Sequence, residues 1–362
     1  MDQNLRTLDW NVTKMDRSLS FWLHYISLDY FWITLADRIE YALYIIQHFY
    51  YPILAIVGVP INLATLAILF NGKCGLSNCV TRYLMAMAAA DLLVAILDLI
   101  LRHIPIVYKD RFDFLYFFPV CNIHAVLLYA ATDCTVWFTV AFTFDRFVAI
   151  CCQKLKSKFC SEKVAAVVLG TITVLSCLKN IFWFFMFKRR YILGNIPWFC
   201  SVTIKALESP IMVPTEFLYN ILTPGVPFVL VLLFNGFTVR HILVASRARR
   251  RFQAHSNGEI SKDPEMESRR KSIILLFVIS VNFIVLWSTF MVYTIWIRMW
   301  WLGFRSVLMH SFVRELGFML QLLSCCTNTA IYVVTQAKFR EQLKNMLKLP
   351  FAPINLSIKL VN

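Results

Sequence analysis

Seven long apolar blocks run through this chain and leave it few folds to choose from. They span Leu43–Phe70, Tyr83–Leu101, Phe117–Cys151, Val164–Phe187, Ile211–Val244, Ile273–Trp296 and Val307–Val334. A helix needs about 20 mostly apolar residues to cross the hydrocarbon core of a bilayer. Leu275-Leu276-Phe277-Val278-Ile279 and Phe228-Val229-Leu230-Val231-Leu232-Leu233-Phe234 are apolar all round rather than along one stripe. That suits helices facing lipid, not helices on the surface of a soluble core. Only 16% of the 362 residues are charged, against about 25% in soluble domains. The expected fold class is an all-α membrane protein, a bundle of seven transmembrane helices.

Lysine and arginine orient such a bundle, because short cytoplasmic loops retain them. One set of loops holds Lys73 and Arg82, then Lys154, Lys156, Lys158 and Lys163. It continues with Arg247, Arg249, Arg250, Arg251, Arg269, Arg270 and Lys271, and ends with Lys338, Arg340, Lys344 and Lys348. The opposite set holds Lys188, Arg189, Arg190 and Arg305. The first set is expected in the cytoplasm and the N-terminus outside, as a multi-pass plasma-membrane protein. The net charge of +15 then meets anionic inner-leaflet lipid, and no nucleic-acid partner is expected. The first residues lack the layout of a cleaved signal peptide, so the first span is expected to serve as its own signal. Asn11-Val12-Thr13 is a glycosylation sequon on the outer side, whereas Asn355-Leu356-Ser357 would be cytoplasmic and unused.

The eleven cysteines test this topology. Cys134, Cys177, Cys325 and Cys326 fall inside spans, and Cys74, Cys79, Cys151, Cys152 and Cys160 fall on the cytoplasmic side. Cys121, opening the third span, and Cys200, before the fifth, are left at the outer face, where an oxidising exterior would pair them.

The spans also carry an ordered set of motifs. They are Gly58-Val59-Pro60-Ile61-Asn62 in span one, and Leu84-Met85-Ala86-Met87-Ala88-Ala89-Ala90-Asp91-Leu92-Leu93 in span two. Span three begins at Cys121 and ends in Asp145-Arg146-Phe147. Pro227 lies in span five, Phe283 and Trp287 in span six, and Asn328-Thr329-Ala330-Ile331-Tyr332 in span seven. Ala337-Lys338-Phe339-Arg340-Glu341-Gln342-Leu343 follows. Together, from about Tyr41 to Leu347, these resemble the rhodopsin-like (class A) G-protein-coupled receptors. Within that family, the Asn328–Ile331 run, Asn235 and the Ala-Ala-Ala-Asp run are most similar to the branch of orphan G-protein-coupled receptor 139.

The resemblance implies a receptor that catalyses nothing, binds an extracellular ligand (a small molecule or a peptide) and activates a heterotrimeric G protein. It implies a switch at Asp145, Arg146, Phe147, Asn328 and Tyr332. It also implies a sodium ion as an allosteric modulator, at Asp91 with Thr135, Ser324 and Asn328. Asn62 lies at matching depth, and a hydrogen-bonded structural carboxylate is the other reading of Asp91. The domains expected are an extracellular segment at 1–40, the receptor bundle at 41–336, and a short amphipathic eighth helix with a tail at 337–362. No cofactor besides the ion is expected.

The departures from the family are specific. Phe147 stands where Tyr is usual, Ser288-Thr289 follow Trp287 where a proline would kink span six, and Thr329 and Asn235 replace the usual Pro and Tyr. Arg269 stands where an acid often faces Arg146, so Asp145 alone is expected to hold that arginine. The charged positions by which the orphan branch would bind a zwitterion read Leu128 and Phe290.

Ligand candidates are the polar and aromatic residues of the outer half. They are Asp98 and Arg102 on span two, Tyr129 and Asp133 on span three, Glu216 on span five, Trp287 and Phe290 on span six, and Arg314 and Glu315 on span seven. Asp98 and Arg102 are four apart and can pair on one face. Asp133 meets either a ligand or a neighbouring span. The competing reading is a transporter or channel without G-protein coupling, against which the spans show no inverted repeat and no Gly/Pro-broken pair of helices. A membrane enzyme lacks its motifs here, since the spans hold no His-x-x-His, His-Glu-x-x-His or Ser-Lys pairing.

Overall fold

The computed structural model describes residues 34–72, 74–108, 120–188, 201–202, 218–219, 221–253, 264–301, 304 and 309–348. Among these are seven helices long and apolar enough to cross a membrane, at Leu35–Phe70, Asn78–Tyr108, Val120–Cys151, Glu162–Phe185, Leu222–Arg247, Ser272–Ile297 and Ser311–Thr335. Each of the seven apolar blocks supplies one of these helices among the described residues, and the fold class is a seven-helix transmembrane bundle.

Local chemistry sets the helix ends. Span one starts at Leu35 rather than Leu43 because a capping box precedes the apolar stretch. The Thr34 hydroxyl accepts from the Asp37 amide at 3.3 Å, and the Asp37 carboxylate accepts from the Thr34 amide at 3.1 Å. Ser77 and Ser161 cap spans two and four. Span two loosens into a π-helical stretch at Ala95–His103 before closing at Ile104–Tyr108. Span five opens irregularly at Ile221–Gly225, with Thr223 extended at φ −149° and ψ 116°. Residues 203–217, where the expected span-five block begins, lie outside the described residues. Span six sits in one helix, Pro264–Trp301, whose only proline is its first residue.

Outside the spans, a short helix at Gln153–Phe159 follows span three. A two-residue antiparallel ladder pairs Phe187 with Val202 and Lys188 with Ser201. A helix at Ala337–Lys348 follows span seven. Its Phe339 is fully buried and meets the Tyr332 ring edge-on at 5.8 Å.

The core is layered along the bundle axis. An inner layer gathers Leu69, Tyr83, Leu84, Phe142, Leu275 and Tyr332. Val136, Val140, Val231, Phe283, Leu286 and Trp287 join spans three, five and six. Tyr51, Leu99, Met319 and Leu322 join spans one, two and seven. Large apolar side chains such as Val167, Leu175, Val229 and Val285 stay exposed, as lipid contact requires. Spans six and seven touch backbone to backbone at Gly317, where an added Cβ would lie 3.0 Å from Phe290 Cα. A larger residue there would push the two backbones apart.

Candidate functional site

Three polar layers stack from the membrane centre to its faces. The central one is built on Asp91, a fully buried carboxylate. Asn328 Nδ2 donates to its Oδ2 at 2.7 Å. Its other oxygen has no hydrogen-bond partner. Thr135 stands beside it and donates to the Ala131 carbonyl at 3.2 Å. The remaining residues expected here serve other partners. Ser324 Oγ accepts from Trp287 Nε1 at 3.1 Å and donates to the Gln321 carbonyl at 2.6 Å. Asn62 Nδ2 donates to two backbone carbonyls, Gly58 at 2.9 Å and Cys325 at 2.8 Å, so it binds span one to span seven. Trp287 is thus tied directly to the layer below it, and its ring lies 5.7 Å from Phe283.

The inner layer is the Asp145–Arg146 pair, and both side chains are buried. Arg146 Nε and Nη2 donate to Asp145 Oδ2, the first at 3.0 Å. Arg146 Nη1 donates to Ser272 Oγ on span six at 3.2 Å. Asp145 is therefore not the sole partner of Arg146: one helical turn beyond Arg269, a neutral hydroxyl takes the place an acid would fill. Cys79 donates its thiol hydrogen to Asp145 Oδ1 at 3.2 Å. Cys160, between spans three and four, lies 3.5 Å from the Asp145 carbonyl. Burial, and after it the Asp145 carboxylate, push the Cys160 thiol up to about 12. Phe147 stacks on Phe234 of span five at 5.7 Å, so the ring that replaces the usual tyrosine packs between spans. Tyr332 is 1% exposed and its hydroxyl has no hydrogen-bond partner.

The outer layer divides the expected ligand residues into two nests. One lies between spans one, two and seven. There Arg102 Nη1 meets Asp98 Oδ1 at 3.1 Å, and His103 Nε2 lies 3.5 Å from the same oxygen. Glu315 accepts from Gln47 Nε2 at 3.2 Å and from Arg314 at 2.9 Å. The Phe318 ring lies 5.5 Å from the Arg102 guanidinium and 5.3 Å from Phe290, which in turn is 6.3 Å from Trp287.

The second nest lies between spans three, four and five. Tyr129, Trp183 and Tyr219 form an aromatic cluster, with ring centroids 5.3 to 6.3 Å apart. Below it, Asp133 pairs with Lys179 at 2.7 Å and accepts from Asn180 at 2.6 Å. Of the two partners the sequence left open for Asp133, the structure supplies the neighbouring span.

Lys179, Asn180, His103, Phe318 and Ser272 were not among the expected site residues. Lys179 had a readable signal, being the one cation of its apolar block, at a depth to meet Asp133 at mid-span of the preceding one. Cys121 is disulfide-bonded, and the other described cysteines are free. Cys200, Glu216 and Asn11 lie outside the described residues.

A model of the family described as 7 transmembrane receptor (rhodopsin family) matches residues 61–332. The chain is also similar to the B2 bradykinin receptor of Oryctolagus cuniculus. The two are 23% identical over 273 residues, which cover 74% of this chain and 69% of that receptor.

Proposed function

This chain belongs to the rhodopsin family of seven-transmembrane receptors, multi-pass membrane proteins that signal and are not enzymes, and from that premise we propose that it binds an extracellular ligand and activates a heterotrimeric G protein. The observation that carries this reading is the position of Arg146. It is a buried cation at the inner end of span three, held by Asp145 and by Ser272 of span six. Separating spans three and six would break the Ser272 contact and free the guanidinium toward the cytoplasm. Ligand binding would then favour the open bundle over the closed one, a shift between two populations.

The rest of the proposal follows the same topology. The N-terminal segment, with glycosylated Asn11, faces outside at the plasma membrane, and the disulfide partner of Cys121 is Cys200. The helix Ala337–Lys348, carrying Lys338, Arg340, Lys344 and Lys348, lies along the anionic inner leaflet. The free oxygen of Asp91, with Thr135 and Asn328 beside it and Ser324 turning to it from Trp287, suits a sodium ion, which would neutralise the carboxylate.

The ligand, a small molecule or peptide, enters from outside between the two outer nests and meets Phe290 and Trp287. Leu128 and Phe290 give that floor an apolar character, so we read the chain as a divergent relative of the orphan receptor 139 branch that does not recognise a zwitterion through those positions.

The test is nucleotide exchange on purified G-protein heterotrimers of each subtype, with the receptor in lipid nanodiscs. Exchange above empty discs, lost in Arg146→Ala, is expected. No exchange with any subtype contradicts the proposal.

A further inference from the structure

The Asp133–Lys179 pair lies within two membrane spans, where unbalanced charge is expensive. Asp133 is 2% exposed. Its Oδ2 is 2.7 Å from Lys179 Nζ and 2.6 Å from Asn180 Nδ2, and Asn180 in turn accepts from the Tyr219 hydroxyl at 2.5 Å. The Lys179 ammonium has two further engagements. It donates to Thr223 Oγ1 at 3.0 Å and sits 4.1 Å from the Tyr219 ring centroid. Trp137 Nε1 of span three donates to the same Thr223 hydroxyl at 3.4 Å. Thr223 is the extended residue that interrupts the helix at the outer start of span five. One cation on span four therefore joins a carboxylate on span three to the break in span five.

A buried ion pair contributes little net stability compared with apolar residues of the same volume, but losing one partner strands the other charge. Its best-supported use is to fix one arrangement of helices against others. Polar contacts from Asn180, Tyr219 and Trp137 converge on the same groups. We infer that Lys179 is a positioning residue of the receptor: seated on Asp133, it holds Thr223 and keeps the broken start of span five closed against spans three and four in the resting bundle. This rests on the receptor reading only for its effect on signalling. The brace itself is a property of the bundle.

The experiment uses the full-length receptor in nanodiscs, with no ligand. Amide hydrogen exchange across residues 221–226 is compared between wild type and Lys179→Met, alongside basal nucleotide exchange on the G protein. Lys179→Met is expected to speed amide exchange in that segment by about tenfold and to raise basal nucleotide exchange about threefold. Lys179→Arg should retain both wild-type values. Unchanged or slower amide exchange at 221–226 in Lys179→Met overturns the inference. Should Lys179→Met fail to fold, Thr223→Val removes only the acceptor hydroxyl. Faster amide exchange in that variant supports the brace, and unchanged exchange overturns it. Faster amide exchange together with no nucleotide exchange from any form, wild type included, supports the brace and contradicts the receptor reading.

Discussion

Spans one, two and seven are joined to the centre of the bundle by a different chemistry from that of spans four and five. On the first side, below the charged outer nest, polar side chains bond to backbone carbonyls or to buried hydroxyls. Asn62 reaches the Gly58 and Cys325 carbonyls, the Tyr50 hydroxyl donates to the Met319 carbonyl at 2.7 Å, and Thr65 meets Thr329 at 2.6 Å. On the second side, a charged node around Lys179 ties Asp133 of span three to Thr223 of span five. Burial follows the same division. In the apolar stretches, 39%, 50% and 61% of spans one, two and seven are buried, against 22% of span four and 17% of span five. Asn62 is short and 1% exposed, so few other rotamers are open to it. A lysine can let go by changing rotamer. The first side therefore reads as a scaffold and the second as the part that moves, with Trp287 and Arg146 on the line between them.

The comparison breaks most severely at Gly58, where an added Cβ would lie 2.3 Å from Cys326 Sγ. Gly58→Leu should destabilise the bundle by about 3 kcal/mol through overpacking, and surface expression with a thermal melt of the purified receptor measures it. Asn62→Ala comes next. It removes one hydrogen bond within span one and one between spans one and seven and should cost about 2 kcal/mol. That loss should leave basal nucleotide exchange per folded receptor unchanged, because the scaffold does not gate.

Ser272→Glu sharpens the other side. A carboxylate opposite Arg146 forms a charge-assisted bond in place of a neutral one, and basal nucleotide exchange should fall about fivefold, an effect of about 1 kcal/mol. Equal or higher basal exchange would remove Ser272 from the latch. The smallest effect belongs to Arg82 and Glu162, which meet at 2.6 Å but stay 52% and 40% exposed. Arg82→Ala should not measurably change the melting temperature, as expected for an exposed pair.

Much of the bundle was legible in the sequence because depth in a membrane is written as hydropathy. The seven blocks located all seven spans, and Asp91 and Asn328, matched in depth, do meet. Rotation about each helix axis was far less legible. Spans that are apolar all round carry no strong stripe to say which face turns inward. The family resemblance put Arg269 opposite Arg146, and Ser272, three residues on, faces it. For want of such a stripe Asp98, Glu315, Tyr129 and Asp133 read as one pocket when they belong to two nests. The start of span one was hidden for another reason. Capping by Thr34 and Asp37 extends the helix through polar residues that a hydropathy reading assigns to the loop.

The central claim is that the inner ends of spans five and six move while the layer of Asn62, Asp91 and Asn328 stays fixed. Amide hydrogen exchange of the full-length receptor in nanodiscs, with and without a nucleotide-free G-protein heterotrimer, tests it directly. The account predicts altered protection at the inner ends of spans five and six and unchanged protection around Asn62, Asp91 and Asn328. Equal changes in all seven spans, or none in any, would contradict it.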